Sequence, residues 1–122
     1  MRMLAVAAVL TAITLTVPAE AQRVTLLQAR TAGELADLCA ANPKEPLGDA
    51  KINFCHGFAQ GAIDVELHHA GATKPFCFPH PGPSRTETMH QFVDWVRAVP
   101  DRGSMPSTEG LFRFLAERFP CK

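Results

Sequence analysis

Apolar residues recur at helical spacing in four stretches of the chain, and each stretch ends at a proline or a glycine. The predicted helices span roughly residues 32–41, 49–69, 85–99 and 106–118. No segment of useful length alternates apolar and polar residues in the way a half-buried strand would. The pattern therefore predicts an all-α fold, a small four-helix bundle (four to five helices) in which short loops favour antiparallel neighbours.

Capping signals set the start of three of these helices. Thr31 with Glu34, and Ser84 with Glu87, have the spacing of a capping box, in which two side chains satisfy each other's backbone N–H groups. Pro106 suits the first turn of the fourth helix, because a helix leaves its first N–H groups unpaired and proline has none. The residues from Asp101 to Met105 are expected to form a short loop before it.

The second predicted helix is the longest and carries two apolar rows. The rows are Ile52, Cys55, Ala59 and Ala62 on one side and Phe54, Phe58, Gly61 and Val65 on the other. So wide an apolar face is typical of the central helix of a bundle. Gly57 and Gly61 each cost about 1 kcal/mol relative to alanine inside a helix, so we expect another backbone or a bulky ring to approach closely there.

The first 21 residues have the form of a cleavable signal peptide. Arg2 supplies the positive start, residues 4–17 are apolar apart from threonine, and Ala19-Glu20-Ala21 fits an A-x-A cleavage site. Cleavage after Ala21 would remove 21 of the 122 residues and leave 101. The predicted organisation is a signal peptide (1–21), an N-terminal arm (22–30) and one helical domain (31–122) that is exported to the periplasm.

Composition narrows the classes of partner. The chain has 12 basic and 12 acidic residues, no net charge and no run of Lys or Arg, so it lacks the charge that attracts nucleic acid or anionic lipid. After residue 22 no apolar stretch approaches the ~18 residues that a membrane-spanning helix requires. We expect no nucleic-acid partner and no membrane contact after signal cleavage, and binding that depends on shape and local loops.

All four cysteines follow the predicted signal peptide and would reach an oxidising compartment, where thiols pair. Four cysteines allow three pairings, and their spacing contains no close pair such as the C-x-x-C of a zinc site. In an up-down bundle the first helix ends near the start of the second, which brings Cys39 near Cys55. Cys77 and Cys121 then share the opposite end. Two disulfides, Cys39–Cys55 and Cys77–Cys121, are therefore favoured, with the other two pairings left open.

The residues that most often carry chemistry show no catalytic arrangement. His68 and His69 are adjacent, so on a helix they point about 100° apart, although Asp64 and His68 lie one turn apart. No G-x-S-x-G nucleophile motif is present, and the cysteines are expected to be oxidised. We therefore expect no enzyme, no catalytic residue, no cofactor and no metal ligand, with a histidine-dependent metal carrier as a weaker alternative.

Two loops and one tryptophan are candidates for contacts with a partner. One loop contains His80, Pro81, Gly82 and Pro83, and the other contains Asp101, Arg102 and Gly103. Both are stiffened by proline and lie at opposite ends of the predicted bundle, where either could enter a cleft of a partner. Trp95 lies at the edge of the apolar stripe of the third helix and is either a core residue or an interface anchor.

Short cysteine, glycine and proline motifs follow one another along the chain. The run from Cys55 to Asp64 has the pattern C-x-G-[YF]-x-x-G-x-x-D, Cys77-Phe78-Pro79 has the pattern C-x-P, and Phe119-Pro120-Cys121 closes the chain as F-P-C. Together with Leu38-Cys39 upstream, these motifs resemble those of the Rap/Tai immunity proteins over about residues 31–122. Proteins of that family are small, helical and periplasmic, and they neutralise peptidoglycan amidase effectors delivered by type VI secretion.

The resemblance implies a disulfide-bonded helical domain, often a homodimer, that inhibits an amidase by placing a loop or helix in its catalytic cleft. Gly57, Phe58, Gly61 and Asp64 match its helix motif and are interpreted as helix-packing residues, with Asp64 bonded to a neighbouring backbone. The partner-binding residues stay unknown apart from the two candidate loops. The alternative hypothesis is a periplasmic stress or chaperone-like helical protein without a dedicated enzyme partner.

Overall fold

The computed structural model describes residues 27–122, and they form a helical domain. Its helices are α1 (Ala32–Cys39), α2 (Gly48–Ala70), α3 (Arg85–Ala98) and α4 (Ser107–Arg118), with a 3-10 helix at Pro100–Ser104 between α3 and α4. Within this part of the chain there is no strand, only an isolated bridge between Thr31 and Pro106. The predicted all-α class is confirmed. The predicted signal peptide and residues 22–26 of the arm lie outside the described residues.

The predicted capping signals act at two helix starts. At α1 the Glu34 N–H donates to Thr31 Oγ1 (3.2 Å) and the Thr31 N–H donates to Glu34 Oε2 (3.4 Å), which completes a capping box. At α3 the Glu87 N–H donates to Ser84 Oγ (3.1 Å). The Glu87 carboxylate accepts from the Gln91 amide (3.3 Å) and not from the Ser84 N–H, so only half of the capping box predicted there is formed. The side chain of Ser84 therefore satisfies one of the free N–H groups at this helix start.

The segment between α3 and α4 is more regular than expected. Most of the predicted loop from Asp101 to Met105 belongs to the 3-10 helix. The Arg102 N–H donates to the Val99 carbonyl (3.1 Å) and the Met105 N–H to the Arg102 carbonyl (3.3 Å), which are the i to i+3 bonds of this helix type. Pro106 stands one residue before α4, at its N-cap.

The central helix of the bundle is α1, and the expectation that α2 is central is wrong. Five of the eight residues of α1 are buried, and it contacts each of the other three helices. Of the 23 residues of α2, only Gly48, Cys55 and Ala59 are buried. At 1.5 Å per residue α2 is roughly 34 Å long, whereas its neighbours have only 8, 14 and 12 residues. Apart from Gly48 at its start, burial on α2 is confined to the side of Cys55 and Ala59, about 110° around the helix from the row of Gly61 and Val65.

A close approach between helices occurs at Gly110 of α4 rather than on α2. A Cβ placed on Gly110 would stand 2.6 Å from the Cβ of Ala32 in α1, so this contact requires glycine. A Cβ placed on Gly57 or Gly61 would meet nothing within 4 Å. The packing expected at these two glycines of α2 is therefore not made by any of residues 27–122.

The two disulfides have the pairing that the up-down arrangement favoured. Cys39–Cys55 joins the end of α1 to α2, and both of its residues are buried. Cys77–Cys121 joins the connection between α2 and α3 to the last turn of the chain, and both of its residues are exposed. One bridge is thus part of the core, and the other fastens a surface segment.

Candidate functional site

The proline-rich ridge, residues 79–83, rises from an anchored base. Phe76, just before it, is buried with 1% of its surface exposed. The Cys77 N–H donates to the Phe119 carbonyl (2.8 Å), and Cys77 is also bonded to Cys121. The ring of Phe78 packs against the rings of Phe76 (centroids 5.8 Å apart) and Phe119 (5.1 Å). Backbone, covalent and aromatic contacts therefore fix the point at which the ridge begins.

The ridge itself is compact and faces solvent. Pro79, His80, Pro81 and Gly82 are exposed and Pro83 is half-buried. The chain turns tightly, since a Cβ on Gly82 would come within 3.3 Å of the Pro79 carbonyl oxygen. Three prolines within these five residues limit the backbone angles that the segment can adopt. It therefore presents a stiff, exposed turn.

On one side of the ridge lies the α2 groove, a cavity of about 330 Å³ between α2, the ridge and the start of α3. Its apolar lining is formed by Ala59, Ile63, Leu67, Phe78, Pro83 and Met89. Ala59, Ile63 and Leu67 are four residues apart and form a third apolar row on α2. This row, visible in the spacing of the sequence, is the signal that could have located the groove.

The polar lining of the α2 groove is only partly paired. The Gln60 amide donates to both carboxylate oxygens of Asp64 (3.0 and 3.1 Å). Asp64 therefore bonds a side chain of its own helix and not the neighbouring backbone that was expected. Arg85, the first residue of α3, also lines the groove and forms no ion pair among residues 27–122. The groove thus combines an apolar floor with an unpaired cation.

On the other side of the ridge lies the C-terminal groove, a wider cavity of about 700 Å³. Phe78, Gly82 and Pro83 line both grooves. Beyond them the C-terminal groove has charged residues at its edge, namely Glu87, Arg118 and Lys122. The ridge therefore separates an apolar cavity from a more polar one.

The second candidate loop lies at the other end of α3 and is tied to the rest of the domain. An Arg102 nitrogen donates to the Trp95 carbonyl (2.7 Å), and the guanidinium carbon lies 4.0 Å from the centroid of the Trp95 ring. The Trp95 indole N–H donates to Glu117 (2.7 Å), which also lies 3.8 Å from Arg102. Trp95 is half-buried and its N–H is already used, so these contacts support a structural role for this residue.

A second uncovered surface, the exposed α2 face, is formed by Phe54, Gly57, Phe58, Gly61 and Val65. The rings of Phe54 and Phe58 stack with centroids 6.3 Å apart, and both pack partly against the core, so only one side of each is open. Gly57 and Gly61 face open space, and 59% of Val65 is exposed. The face lies on a different side of α2 from the α2 groove, because Gly61 and Val65 are offset from Ile63 and Leu67 by about 160°.

The histidines form no metal centre in the described part of the chain. His68 and His69 are exposed, with ring centroids 5.6 Å apart in an edge-on arrangement. Nowhere in residues 27–122 do three or more His, Cys, Asp or Glu side chains come together as metal ligands would. Over the same residues, none of the helices has the length and apolar character needed to cross a membrane.

A family model described as Rap1a immunity proteins matches residues 31–121. The chain belongs to the Rap1a immunity protein family. The match extends from the capping residue of α1 to the last cysteine, so it covers the domain that both disulfides hold together. No curated protein and no solved structure matches the chain.

Immunity proteins act by binding a cognate effector. Membership of the Rap1a family therefore implies that this domain binds one. Such families are generally not enzymatic. Of the sequence-predicted candidates, His80 to Pro83 form the exposed ridge, whereas Arg102 is engaged inside the domain. Neither the α2 groove nor a role for Arg85 was predicted from the sequence.

Proposed function

We propose that this chain is an exported immunity protein that binds a peptidoglycan amidase effector of type VI secretion in the periplasm and occludes its active site without catalysis. Membership of the immunity family carries the proposal. The resemblance of the cysteine, glycine and proline motifs to the Rap/Tai immunity proteins supports an amidase as the target.

The proline-rich ridge is the element best suited to enter a catalytic cleft. Its base is held by the Cys77–Cys121 disulfide and by the Phe76, Phe78 and Phe119 rings. A segment that is already ordered loses little conformational entropy on binding, and this saving appears as affinity. The groove on each side of the ridge can receive the walls of the cleft.

Export to an oxidising compartment is supported by the disulfides. Both pairs are formed, and no free cysteine occurs among residues 27–122, as is usual for small exported domains. The predicted signal peptide would provide the route. N-terminal sequencing of protein recovered from the periplasmic fraction is expected to begin at Gln22. Recovery of the uncleaved chain from the cytoplasm alone would contradict this part of the proposal.

The exposed α2 face is proposed as the contact between two copies of the chain. Gly57 and Gly61 leave room for the backbone of a second helix, and Phe54, Phe58 and Val65 provide apolar surface beside them. Placing a charge on this face should separate the copies, because the charge would be buried without a partner.

Val65→Lys tests the proposed dimer, with Asn53→Lys as the matched change at an exposed position of α2 outside this face. Analytical ultracentrifugation is expected to show a monomer for Val65→Lys and a dimer for the parent chain and for Asn53→Lys. A monomeric parent chain at all accessible concentrations would overturn this part of the proposal.

The inhibitory role is tested with a purified peptidoglycan amidase effector from the organism that encodes this protein. The purified chain and the amidase are expected to elute as a single complex, and an equimolar amount of the chain should abolish hydrolysis of peptidoglycan. Full amidase activity in the presence of excess chain would overturn the proposal. Capture of many unrelated unfolded proteins, in place of one amidase, would favour the chaperone-like alternative.

A further inference from the structure

We infer that the α2 groove receives one large apolar side chain of the effector, preferably aromatic, and that Arg85 pairs with an effector carboxylate next to that side chain. The inference rests on the proposed function and adds the chemistry by which the effector is recognised. It assigns a binding role to a cavity that lies beside the ridge, distinct from the tip that enters the catalytic cleft.

The size and lining of the α2 groove suit the entry of a large apolar side chain. Its volume of about 330 Å³ lies at the lower end of the range of ligand pockets, about 300–1,000 Å³. That space is enough for one large side chain together with neighbouring atoms of the effector. Met89 on its floor is unbranched and polarisable, which lets the floor adapt to an aromatic ring.

The walls of the groove are already in place before a partner arrives. One wall is the regular helix α2, and the other is the ridge, which the Cys77–Cys121 bridge and the Phe78 ring hold at its base. A pocket that needs no rearrangement loses little free energy to ordering when an apolar side chain enters it. Such preformed pockets, filled by an aromatic anchor, are typical of the strongest contacts at protein interfaces.

The charges around the groove select an acidic neighbour. Asp64 also lines the groove and accepts hydrogen bonds from the neutral Gln60 amide, so an effector carboxylate is expected beside Arg85, which has no acidic partner among residues 27–122. Arg85 also begins α3, and the N-terminus of a helix carries a partial positive charge that favours an anion. Glu87, the acidic residue of the same helix turn, lines the C-terminal groove and forms no ion pair with Arg85.

The C-terminal groove is less suited to an apolar anchor. It is about twice as large as the α2 groove, and Glu87, Arg118 and Lys122 lie along it. An apolar side chain placed there would remove water from charged groups without pairing them, which costs free energy. The α2 groove therefore combines the right size, an apolar floor and a free cation.

Gln60 offers a way to fill the groove without disturbing the core. Gln60 lines the groove but is exposed, so Gln60→Trp places an indole over the cavity and competes with the incoming side chain. Gln60→Ala removes the same hydrogen bond to Asp64 and leaves the cavity open. Asn53→Trp adds the same indole two turns earlier on the same stripe of α2, at an exposed position outside both grooves.

The dissociation constant for the amidase is then measured by calorimetry for the parent chain and the three variants, with urea unfolding to confirm that each is folded. Gln60→Trp is expected to weaken binding by about 30-fold or more, the effect of losing a central anchor. Asn53→Trp should stay within about threefold of the parent chain, as contacts outside such an anchor do. Gln60→Ala leaves the cavity open and should bind the amidase more tightly than Gln60→Trp, so the difference between these two variants reports the filling of the groove. A folded Gln60→Trp variant that binds as tightly as the parent chain would overturn the assignment of the groove.

The role of Arg85 is tested by Arg85→Gln, which keeps most of the side chain and removes its charge. Affinity is expected to fall about tenfold in low salt and less in high salt, because screening weakens a surface ion pair. An unchanged affinity would overturn the proposed ion pair of Arg85.

If the parent chain does not bind the amidase at all, the proposed function fails. If the parent chain binds and Gln60→Trp binds equally tightly, only the assignment of the groove fails.

Discussion

The two segments that flank α3 each contain proline and lie at opposite ends of that helix, but their side chains have different uses. In the 3-10 segment, Arg102 bonds the Trp95 carbonyl, covers the Trp95 ring and approaches Glu117. The proline-rich ridge is held rigid at its base by the Cys77–Cys121 bridge and by the aromatic rings around Phe78. His80 at its crest is left exposed.

This difference shows that an ordered segment is not necessarily free to contact a partner. Both segments are ordered, but the 3-10 segment obtains its order by using its own arginine, which is then not free to contact a partner. The ridge is ordered by groups outside it, so its surface and the two adjoining grooves remain open. A connecting segment is suited to recognition when the contacts that hold it in place leave its exposed groups unused.

Removing the disulfide at the base of the ridge is expected to have the largest effect on the stability of the domain. The pair Cys77→Ala and Cys121→Ala should lower the free energy of unfolding by about 4 kcal/mol, from the chain-entropy model for a bridge between residues 44 apart. Urea unfolding measures the loss. Both residues are exposed, so no core cavity adds to it. Unchanged stability, with Cys39–Cys55 shown to be intact by thiol titration, would contradict the prediction.

At the other end of α3, Arg102→Ala is expected to destabilise the domain by about 2 kcal/mol, because a charged hydrogen bond and a cation–π contact are both lost. The same variant should bind the amidase with unchanged affinity. Arg102→Lys should recover only part of the stability, since an ammonium group cannot reproduce the planar fork of arginine. If Arg102→Ala instead weakened binding to the amidase and left the free energy of unfolding unchanged, the 3-10 segment would be the element that recognises the partner.

His80→Ala tests the crest of the ridge, with Asp101→Ala as the equivalent change in the 3-10 segment. Both residues are exposed, so the free energy of unfolding should change by less than about 0.5 kcal/mol in each case. His80→Ala is expected to weaken binding to the amidase about tenfold, which corresponds to about 1.4 kcal/mol. Equal effects of the two changes on affinity, measured by calorimetry, would remove the distinction between the segments.

The smallest effect is expected for the ion pair between Arg97 and Asp37, which also lies near the 3-10 end of α3. Its atoms are 3.4 Å apart, but the two side chains are 58% and 78% exposed. Arg97→Ala should therefore change the free energy of unfolding by less than about 0.5 kcal/mol. A loss as large as that of Arg102→Ala in thermal unfolding would show that charge in general, and not the specific contacts of Arg102, stabilises this end.

Local signals along the chain were enough to place the helices and their ends. Thr31, Ser84 and the prolines after α1 and α3 act within one or two turns, so their effects depend little on the rest of the fold. The disulfide pairing also followed, because an up-down order of helices brings the chain positions of the cysteines together in pairs. The family was visible in the cysteine, glycine and proline motifs, of which the cysteines hold the scaffold together through both disulfides.

The arrangement of the helices, by contrast, was decided by tertiary packing. The apolar rows of α2 and its two glycines predicted a central helix, but α2 is longer than the helices that pack on it, and the short α1 occupies the centre. Periodicity shows which side of a helix is apolar and does not show whether enough neighbouring surface exists to cover it. For the same reason the α2 groove and the contact of Arg102 with Trp95 emerged only in three dimensions, because each joins residues from different elements of the fold.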